Sequence, residues 1–385
     1  MPTVTVRIES AISDIAAEQW DDLTDDGNPF LRHAFLAALE RHGAVSLEYG
    51  WQPCHFTLRD TAGQLLAAMP AYLKYNSHGE FIYDWSWAAA YERAGGRYYP
   101  KLFCGIPFSP ATGPRLLVAP AVSSPADLRD QLVRAALAWV ARHGLSSAHW
   151  ALLTPTDRDC LAKHGLCLRQ DCQYHWCNGE YADFEAFLSA FTAAKRKKVR
   201  RERRRVAEQG IVFERRRGDT LTATEWALFH RFYTDTFERH YNIPVFSQAF
   251  FQDLGANMGA QIMVVLARHS GEPVAGAFNL QGPAGLYGRY WGCLADYHSL
   301  HFETCYYQGI DYAIQQGLPR FEPGAQGEHK IARGFLPTST WSAHYIRDPG
   351  FCRAVADHCQ RERDAMQMQC RALAAHSPFR PSTTE

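Results

Sequence analysis

The sequence predicts an α/β protein with two tandem copies of one mixed-sheet domain, joined by a long basic helix. Three observations carry this. One run of strands, turn and amphipathic helix occurs twice. The 385 residues are 46% hydrophobic and 21% charged, which suits a globular chain and excludes a disordered or fibrous one. Positive charge gathers in one segment between the two copies.

The repeat begins with FTLRDTAGQLLAAMPAYLKY (56–75) in the first half and VVLARHSGEPVAGAFNLQG (264–282) in the second. Each reads as a hairpin, two apolar strands around a polar turn containing glycine. An aromatic strand follows in each copy, EFIYDWSW (80–87) and GLYGRYWG (285–292). An amphipathic helix ending at Gly-Leu comes next, over 126–145 and 302–318. Each helix enters another strand, SAHWALL (147–153) and PRFEP (319–323). Strand–helix–strand order favours a parallel crossover, and the hairpins add antiparallel strands.

Aligning Tyr83 with Tyr287 gives an offset of 204 residues, whereas Gly144 with Gly317 gives 173. The first copy then holds about 31 extra residues before its helix, an aromatic insertion over 88–120. Long loops of this composition are often functional. Helices over 15–23 and 30–41 precede the first hairpin, and helices over 221–240 and 246–258 the second. The segment 183–208 reads as one continuous helix. Its start carries Phe184, Phe187, Leu188 and Phe191 at helical spacing. Its end is KRKKVRRERRR, whose apolar face continues only at Val199 and Val206. Residues 361–374 read as a closing helix. The domains are expected at 1–180 and 181–385.

Net charge is zero, yet residues 195–217 carry a net +9 and the rest of the chain −9. One segment is built to meet anions. The candidate polyanion-binding residues are Lys195, Arg196, Lys197, Lys198, Arg200, Arg201, Arg203, Arg204 and Arg205. No aromatics interleave them, so phosphate rather than base stacking is indicated. The eleven cysteines are an odd number without C-x-x-C spacing and read as free thiols, with no metal site expected. No apolar run is long enough to span a membrane, and MPTVTVRIES is not a leader, so a cytoplasmic protein is expected.

The layout, with YDWSWAAAYERAG (83–95), YYPKL (98–102), PFSPATGPRLL (107–117), KRKKVRRER (195–203), LYGRYWGC (286–293) and FEPGAQGEHKIARGFLP (321–337), resembles the FemAB-like predicted N-acyltransferases. These are labelled peptidoglycan biosynthesis or recognition proteins. They are related to Fem-type aminoacyltransferases within the GNAT superfamily. The resemblance spans nearly the whole chain. It implies two tandem GNAT-like domains, an acceptor side in the first and a donor side in the second.

In such folds the donor's amide arm pairs with a splayed strand, and its pyrophosphate sits at the following helix start. That points to Tyr290, Trp291, Gly292, His298, Ser299, His301 and Arg333 for the donor, with Ser299 as a candidate helix cap. The glycine-rich pyrophosphate loop of acetyl-CoA-type GNATs is absent. After the last strand comes a polar cluster of Glu322, Gln326, Glu328, His329, Lys330 and Arg333, at a carboxyl end where ligands gather. By likeness to Fem-type enzymes, Lys330 would stabilise the oxyanion or leaving group. Glu322 or His329 could take a proton from an amine. By the same likeness the first-domain insertion would hold an amine-bearing small-molecule or peptide acceptor, through Asp84, Tyr98, Tyr99 and Lys101.

The expected function is N-acyl transfer by direct attack, with acyl-CoA or aminoacyl-tRNA as co-substrate and no permanently bound cofactor. An acyl-enzyme on Cys293 or Cys305 is disfavoured, since neither sits in an evident Cys–His–acid arrangement. The basic helix would meet tRNA or an anionic membrane surface. The alternative is a non-catalytic recognition module for cell-wall precursors or RNA. An open tunnel from Tyr290 to Lys330 separates the two readings, because a binding module would not need one.

Overall fold

A computed structural model describes residues 4–24, 27–295, 297–325 and 327–381. It comprises two compact units, 1–172 with 339–368, and 173–338 with 369–385. The chain therefore does not divide at one point near residue 180.

Along the first unit run β1 (Thr5–Glu9), α1 (Ala17–Asp21), α2 (His33–Arg41), β2 (Trp51–Pro53), β3 (His55–Arg59), β4 (Leu65–Met69) and β5 (Ala71–Lys74). Then come α3 (Trp85–Arg93), β6 (Lys101–Cys104), β7 (Leu117–Val118), α4 (Pro125–Arg142), β8 (Ser147–Trp150), α5 (Pro155–Lys163) and β9 (Cys167–Cys177). The next elements are α6 (Phe184–Ser189), α7 (Ala193–Glu208), β10 (Ile211–Arg217), α8 (Ala223–Arg239) and α9 (Gln248–Met258). They are followed by β11 (Ile262–His269), β12 (Glu272–Gly282), β13 (Gly285–Cys293), α10 (Leu300–Phe302), α11 (Gln308–Gln315) and β14 (Arg320–Glu322). The chain closes with β15 (Leu336–Ile346) and α12 (Pro349–Ala374).

In the first unit β1, β3, β4 and β7 form one antiparallel sheet. The second sheet runs β2–β5–β6–β8, antiparallel except for the parallel pair β6 and β8 that α4 connects. Residues 339–368 belong here because Ala343–Ile346 of β15 pairs with β8. The start of α12 also contributes Val355 and Cys359 to a cluster with Trp87 and Tyr98.

Two expectations fail in this unit. The strand expected over 65–75 breaks at Pro70 into β4 and β5, which belong to different sheets. Proline has no N–H to continue a ladder. The aromatic stretch 80–87 is not a strand; it is a bend leading into α3. The counterpart of β13 is β6, which likewise lies between an antiparallel neighbour and a parallel one. The inserted residues therefore lie mainly between β5 and β6, where the second unit has only the turn Pro283–Ala284.

The second unit has the order β10–β11–β12–β13–β14, with Trp176 and Cys177 of β9 beside β14. One sheet face, through Met263, Val265, Ala277, Leu286 and Phe321, packs on the phenylalanines of α6 and on Ile310 and Ala313 of α11. On α8 and α9, Trp226, Phe229 and Phe251 pack around Phe278. The helix expected over 183–208 is two helices. The backbone of Thr192 is extended at φ −60°, ψ 151°. The gap is closed by the C-terminal segment: Thr192 N–H donates to Pro378 O at 2.9 Å, and Arg380 N–H to Ala190 O at 2.9 Å. The closing helix starts at Pro349, earlier than expected. Among the described residues no helix is long and apolar enough to cross a membrane.

Helix α8 lies directly against β13 at Gly292, where a Cβ would stand 1.9 Å from the Phe232 carbonyl oxygen. Gly292→Ala is expected to push helix and sheet apart and destabilise by about 2–4 kcal/mol, beyond the usual cost of overpacking because the obstacle is backbone. A shift in the urea midpoint measures it; an unchanged midpoint would contradict this close approach.

Candidate active site

Strands β13 and β14 pair at only two positions, Leu286 with Phe321 and Tyr287 with Glu322. Beyond them the chain turns away through Pro323 and Gly324, whose φ is +98°. That value suits glycine and few other residues. Opposite, the β12–β13 register slips between Phe278 and Asn279, leaving Arg289 as the extra residue of a bulge. Bulges re-aim side chains and increase local twist. The parted strands bound a cavity of about 310 Å3, whose walls include Asn279, Gly288–Trp291, His301, Cys305, Tyr306, Pro323–Ala325, His329 and Lys330.

The helix beside the cavity carries a π turn, Glu303–Tyr307. Such turns often accompany functional sites. This one directs Cys305 and Tyr306 to the cavity and buries Tyr307. The 3₁₀ segment Glu328–Arg333 supplies His329 and Lys330. Lys330 is 3% exposed, and its Nζ donates to the Gly324 carbonyl at 2.7 Å. Burial lowers its pKa to about 8. His329 Nε2 lies 2.9 Å from the Tyr306 hydroxyl. Burial, then Arg333 and Lys330, lower its pKa. His301 stacks near Trp291 and Tyr306, with ring centroids 4.9 and 5.2 Å away. Burial, then His329, Arg333 and Lys330, lower its pKa to about 4. Burial holds the Cys305 thiol well above its ordinary range, although Lys330 pulls the other way. It is therefore a poor nucleophile.

The structure thus brings together Tyr290, Trp291, His301, His329 and Lys330. Several other expected residues lie elsewhere. Glu322 is off the cavity wall and ion-pairs with Arg320 at 3.1 Å, because strand alternation puts these two side chains on one face. Gly292 meets α8 rather than the cavity. Arg333 is 2% exposed and ion-pairs with Glu202 at 2.8 Å, turned away from the donor space. Ser299 does not cap a helix; its φ is +68° and its Oγ lies 2.7 Å from His298 Nδ1. His298 also lies 3.3 Å from Arg205. Gln326 lies outside the described residues. Sequence reasoning missed Arg289, Asn279 and Tyr306, and named Cys305 only to set it aside as a nucleophile; their cavity positions come from a bulge and a π turn with no sequence signature.

The first-unit candidates form a buried network. Asp84, Tyr98 and Lys101 are each 0% exposed, so they are not presented to an acceptor; Tyr99 alone is half-buried. Lys101 Nζ lies 2.6 Å from Asp84, 2.7 Å from Glu80 and 3.0 Å from Ser77 Oγ. The Tyr98 hydroxyl donates to Asp84 at 2.6 Å. Burial would raise the Asp84 pKa, but Lys101 and His149 hold it well below the usual carboxylate range.

On α7 the buried face is Val199, Glu202 and Val206. The exposed face carries Lys197, Lys198, Arg200, Arg201, Arg204 and Arg205. At 100° per residue these six fall within one arc of about 160°. Arg200 pairs with Glu185 at 2.5 Å and Arg204 with Glu208 at 3.6 Å. Lys195 and Arg196 are half-buried. Arg203 turns inward to Glu303 at 3.1 Å.

A mixed sheet whose parallel strands part over a cavity, in a chain with a second mixed-sheet unit built on the same crossover, defines a tandem GNAT-like fold. More narrowly, residues 11–381 match the FemAB-like family, described as peptidoglycan biosynthesis/recognition, and the chain belongs to it. FemX is similar in structure, with a TM-score of 0.55 and 11% identity, covering 89% of this chain and 98% of that one. So is the C-terminal DUF2156 domain of an Agrobacterium fabrum protein classed as a lysylphosphatidylglycerol synthetase. That comparison has a TM-score of 0.52 and 13% identity, covering 91% and 95% of the two chains. At these identities the likeness is one of fold. No protein of curated function matches the sequence.

The buried ammonium of Lys330 sets a stability test. Its native pKa lies below its free value of 10.5, so between about pH 8 and 10.5 the unfolded chain binds more protons and stability rises with pH. Lys330→Met should remove that slope and raise stability at pH 7 by on the order of 3 kcal/mol, the equivalent of the shift. Melting temperatures across pH 6–10 measure this. A less stable variant at pH 7 would contradict it.

Proposed function

We propose that the protein is an N-acyltransferase whose site is the cavity between β13 and β14. The observation that carries this is the opening beside Tyr290 with Lys330 on its wall, a cation with no carboxylate partner recorded among the described residues. An acyl donor lies along β13 beyond its pairing with β14, beside Gly288–Trp291, its carbonyl oxygen toward Lys330. A neutral amine attacks the carbonyl carbon. As the C–N bond forms, the ammonium stabilises the oxyanion. The bond to the leaving thiolate or alkoxide then breaks, and that group takes the proton that His329 carries over from the amine. His329, neutral near pH 7 and oriented by Tyr306, accepts the proton from the amine. Transfer is direct, in keeping with the protonated thiol of Cys305.

The donor is an acyl-CoA or an aminoacyl-tRNA. The part of β13 beyond its pairing with β14 suits the amide arm of CoA. The three-residue α10 offers little for a pyrophosphate, since the N–H groups of Leu300, Phe302 and Glu303 are taken by Tyr297 and Ser299 carbonyls. The cationic face of α7 receives a polyphosphate partner, tRNA or anionic headgroups.

Thiol release across a panel of acyl-CoAs, run beside transfer from charged tRNA, tests the reading. Lys330→Ala should lower kcat by about 10²–10³-fold with little change in KM. The charged form of Lys330 is lost as pH rises through about 8, so wild-type kcat should fall there and the variant should lack that limb. Near-normal turnover by Lys330→Ala would overturn the assignment.

A second measurement addresses α7. Replacing Lys197, Lys198, Arg201 and Arg204 by Gln should weaken binding of tRNA or anionic vesicles. It should also reduce the slope of log affinity against log salt by about 3–4. An isotherm that is unchanged with both partners would mean that this face meets only solvent.

A further inference from the structure

The basic helix carries two acids beside nine cations; Glu208 is exposed, and Glu202 faces inward. Glu202 stands on the buried side with Val199 and Val206 and is 7% exposed. Its Oε1 accepts from Arg333 at 2.8 Å, and its Oε2 accepts from the Tyr307 hydroxyl. Arg333 is itself buried, stacks 3.3 Å over the Phe302 ring and donates to the His329 carbonyl at 2.7 Å. Arg333 closes the short segment that carries His329 and Lys330. Nearby, Glu303 is already matched by Arg203 at 3.1 Å and by Gln308 at 2.8 Å. Glu202 is thus the one carboxylate recorded with Arg333 among the described residues.

We propose that Glu202 is a positioning residue: through Arg333 and Tyr307 it fixes the Glu328–Arg333 segment, and with it Lys330, against the cavity wall. The inference rests on the reading of Lys330 given above. The segment is fastened at three points. Lys330 bonds to Gly324 O, His329 to the Tyr306 hydroxyl, and Arg333 to Glu202. The first two are single bonds at the rim of the cavity. The third is a buried charge pair to a helix that contributes no residue to the cavity wall. A charge-assisted bond between buried partners holds geometry far better than an exposed one. Adjacent residues of the π turn divide the work, Tyr306 holding His329 from the cavity side and Tyr307 holding Glu202 from behind.

The test uses the full chain and reads Lys330 without requiring turnover. Competitive acylation with acetic anhydride across pH 6–11, quantified by mass spectrometry, gives the pKa of each lysine. In Glu202→Gln the segment loosens, water reaches the ammonium, and the Lys330 pKa should rise by at least one unit toward its free value. Turnover, where a substrate is known, should drop about 10–100-fold in kcat with KM changed less than threefold. Arg333→Gln should do the same, and the double variant should be no worse than either single one, because both break one link. Tyr307→Phe removes only a hydroxyl and should give a smaller shift of the same sign, which keeps the test alive if Glu202→Gln fails to fold. Unmoved Lys330 labelling in folded Glu202→Gln or Tyr307→Phe overturns the proposal, whatever the turnover. A shifted labelling profile together with normal turnover by Lys330→Ala would instead retain the positioning role and reject the catalytic one.

Discussion

Two parallel strands that pair at two positions and then part are the constraint from which the candidate site follows. Once β13 and β14 separate after Tyr287 and Glu322, the ladder between them ends and the cavity begins beside Gly288–Trp291. Each neighbouring irregularity maintains that opening. Pro323 cannot donate to β13, Gly324 turns the chain with a positive φ, and the bulge at Arg289 twists β13 away. The π turn then brings Cys305 and Tyr306 up to the gap. Regular geometry at any of these points would extend the ladder and close the cavity.

Charge compensation separates two lysines that burial alone would make alike. Lys101 is 0% exposed and Lys330 3%. Burial lowers the pKa of both. At Lys101 the carboxylates of Glu80 and Asp84 more than reverse it, so the pKa ends above its ordinary value and the ammonium is fixed. At Lys330 the recorded acceptor is a neutral carbonyl, and the pKa stays near 8. The first arrangement stores charge in a closed network. The second keeps a cation poorly stabilised until negative charge develops beside it, as electrostatic assistance to a reaction requires. Burial without a carboxylate thus sets Lys330 apart from Lys101, although the sequence offers both in polar, aromatic surroundings.

The duplicated order of strands and the crossover helices was legible because hydrophobic periodicity and turn residues are local signals. So were the aromatic strand of the second copy and the polar segment after β14. The first copy misled at 80–87, where alternating aromatics imitate a strand. There the alternation instead separates half-exposed Phe81 and Tyr83 from buried Glu80, Ile82 and Asp84, and the charges are absorbed by Lys101. Glu322 misled for a different reason. Its face on a three-residue strand is set by pairing, and no sequence pattern that short can choose it. Glu202 was within reach of the sequence. It lies three residues after Val199 and four before Val206, on the face already identified as buried. An acid on the buried face of a basic helix requires a buried partner, and that requirement leads to Arg333.

The two copies of the domain have diverged at the place where the second one opens. In the first unit the parallel pair β6 and β8 does not part after its last residues. Ala151 N–H continues to Cys104 O at 3.0 Å, and Gly113 N–H reaches Leu152 O at 3.1 Å. The side chain of Arg115, 1% exposed, occupies the adjoining space, its guanidinium donating to the carbonyls of Ala111, Pro114 and Ala151. Backbone acceptors that a ligand would otherwise have to meet are satisfied by one side chain of the chain itself. Asp157 closes the arrangement by accepting from the backbone N–H groups of Arg115 and Leu116. The same parallel crossover is thus sealed in one copy and open in the other. On the proposed reading the donor then has its place in the second unit alone, and the residues that the first unit carries between β5 and β6 are the ones left to serve the acceptor.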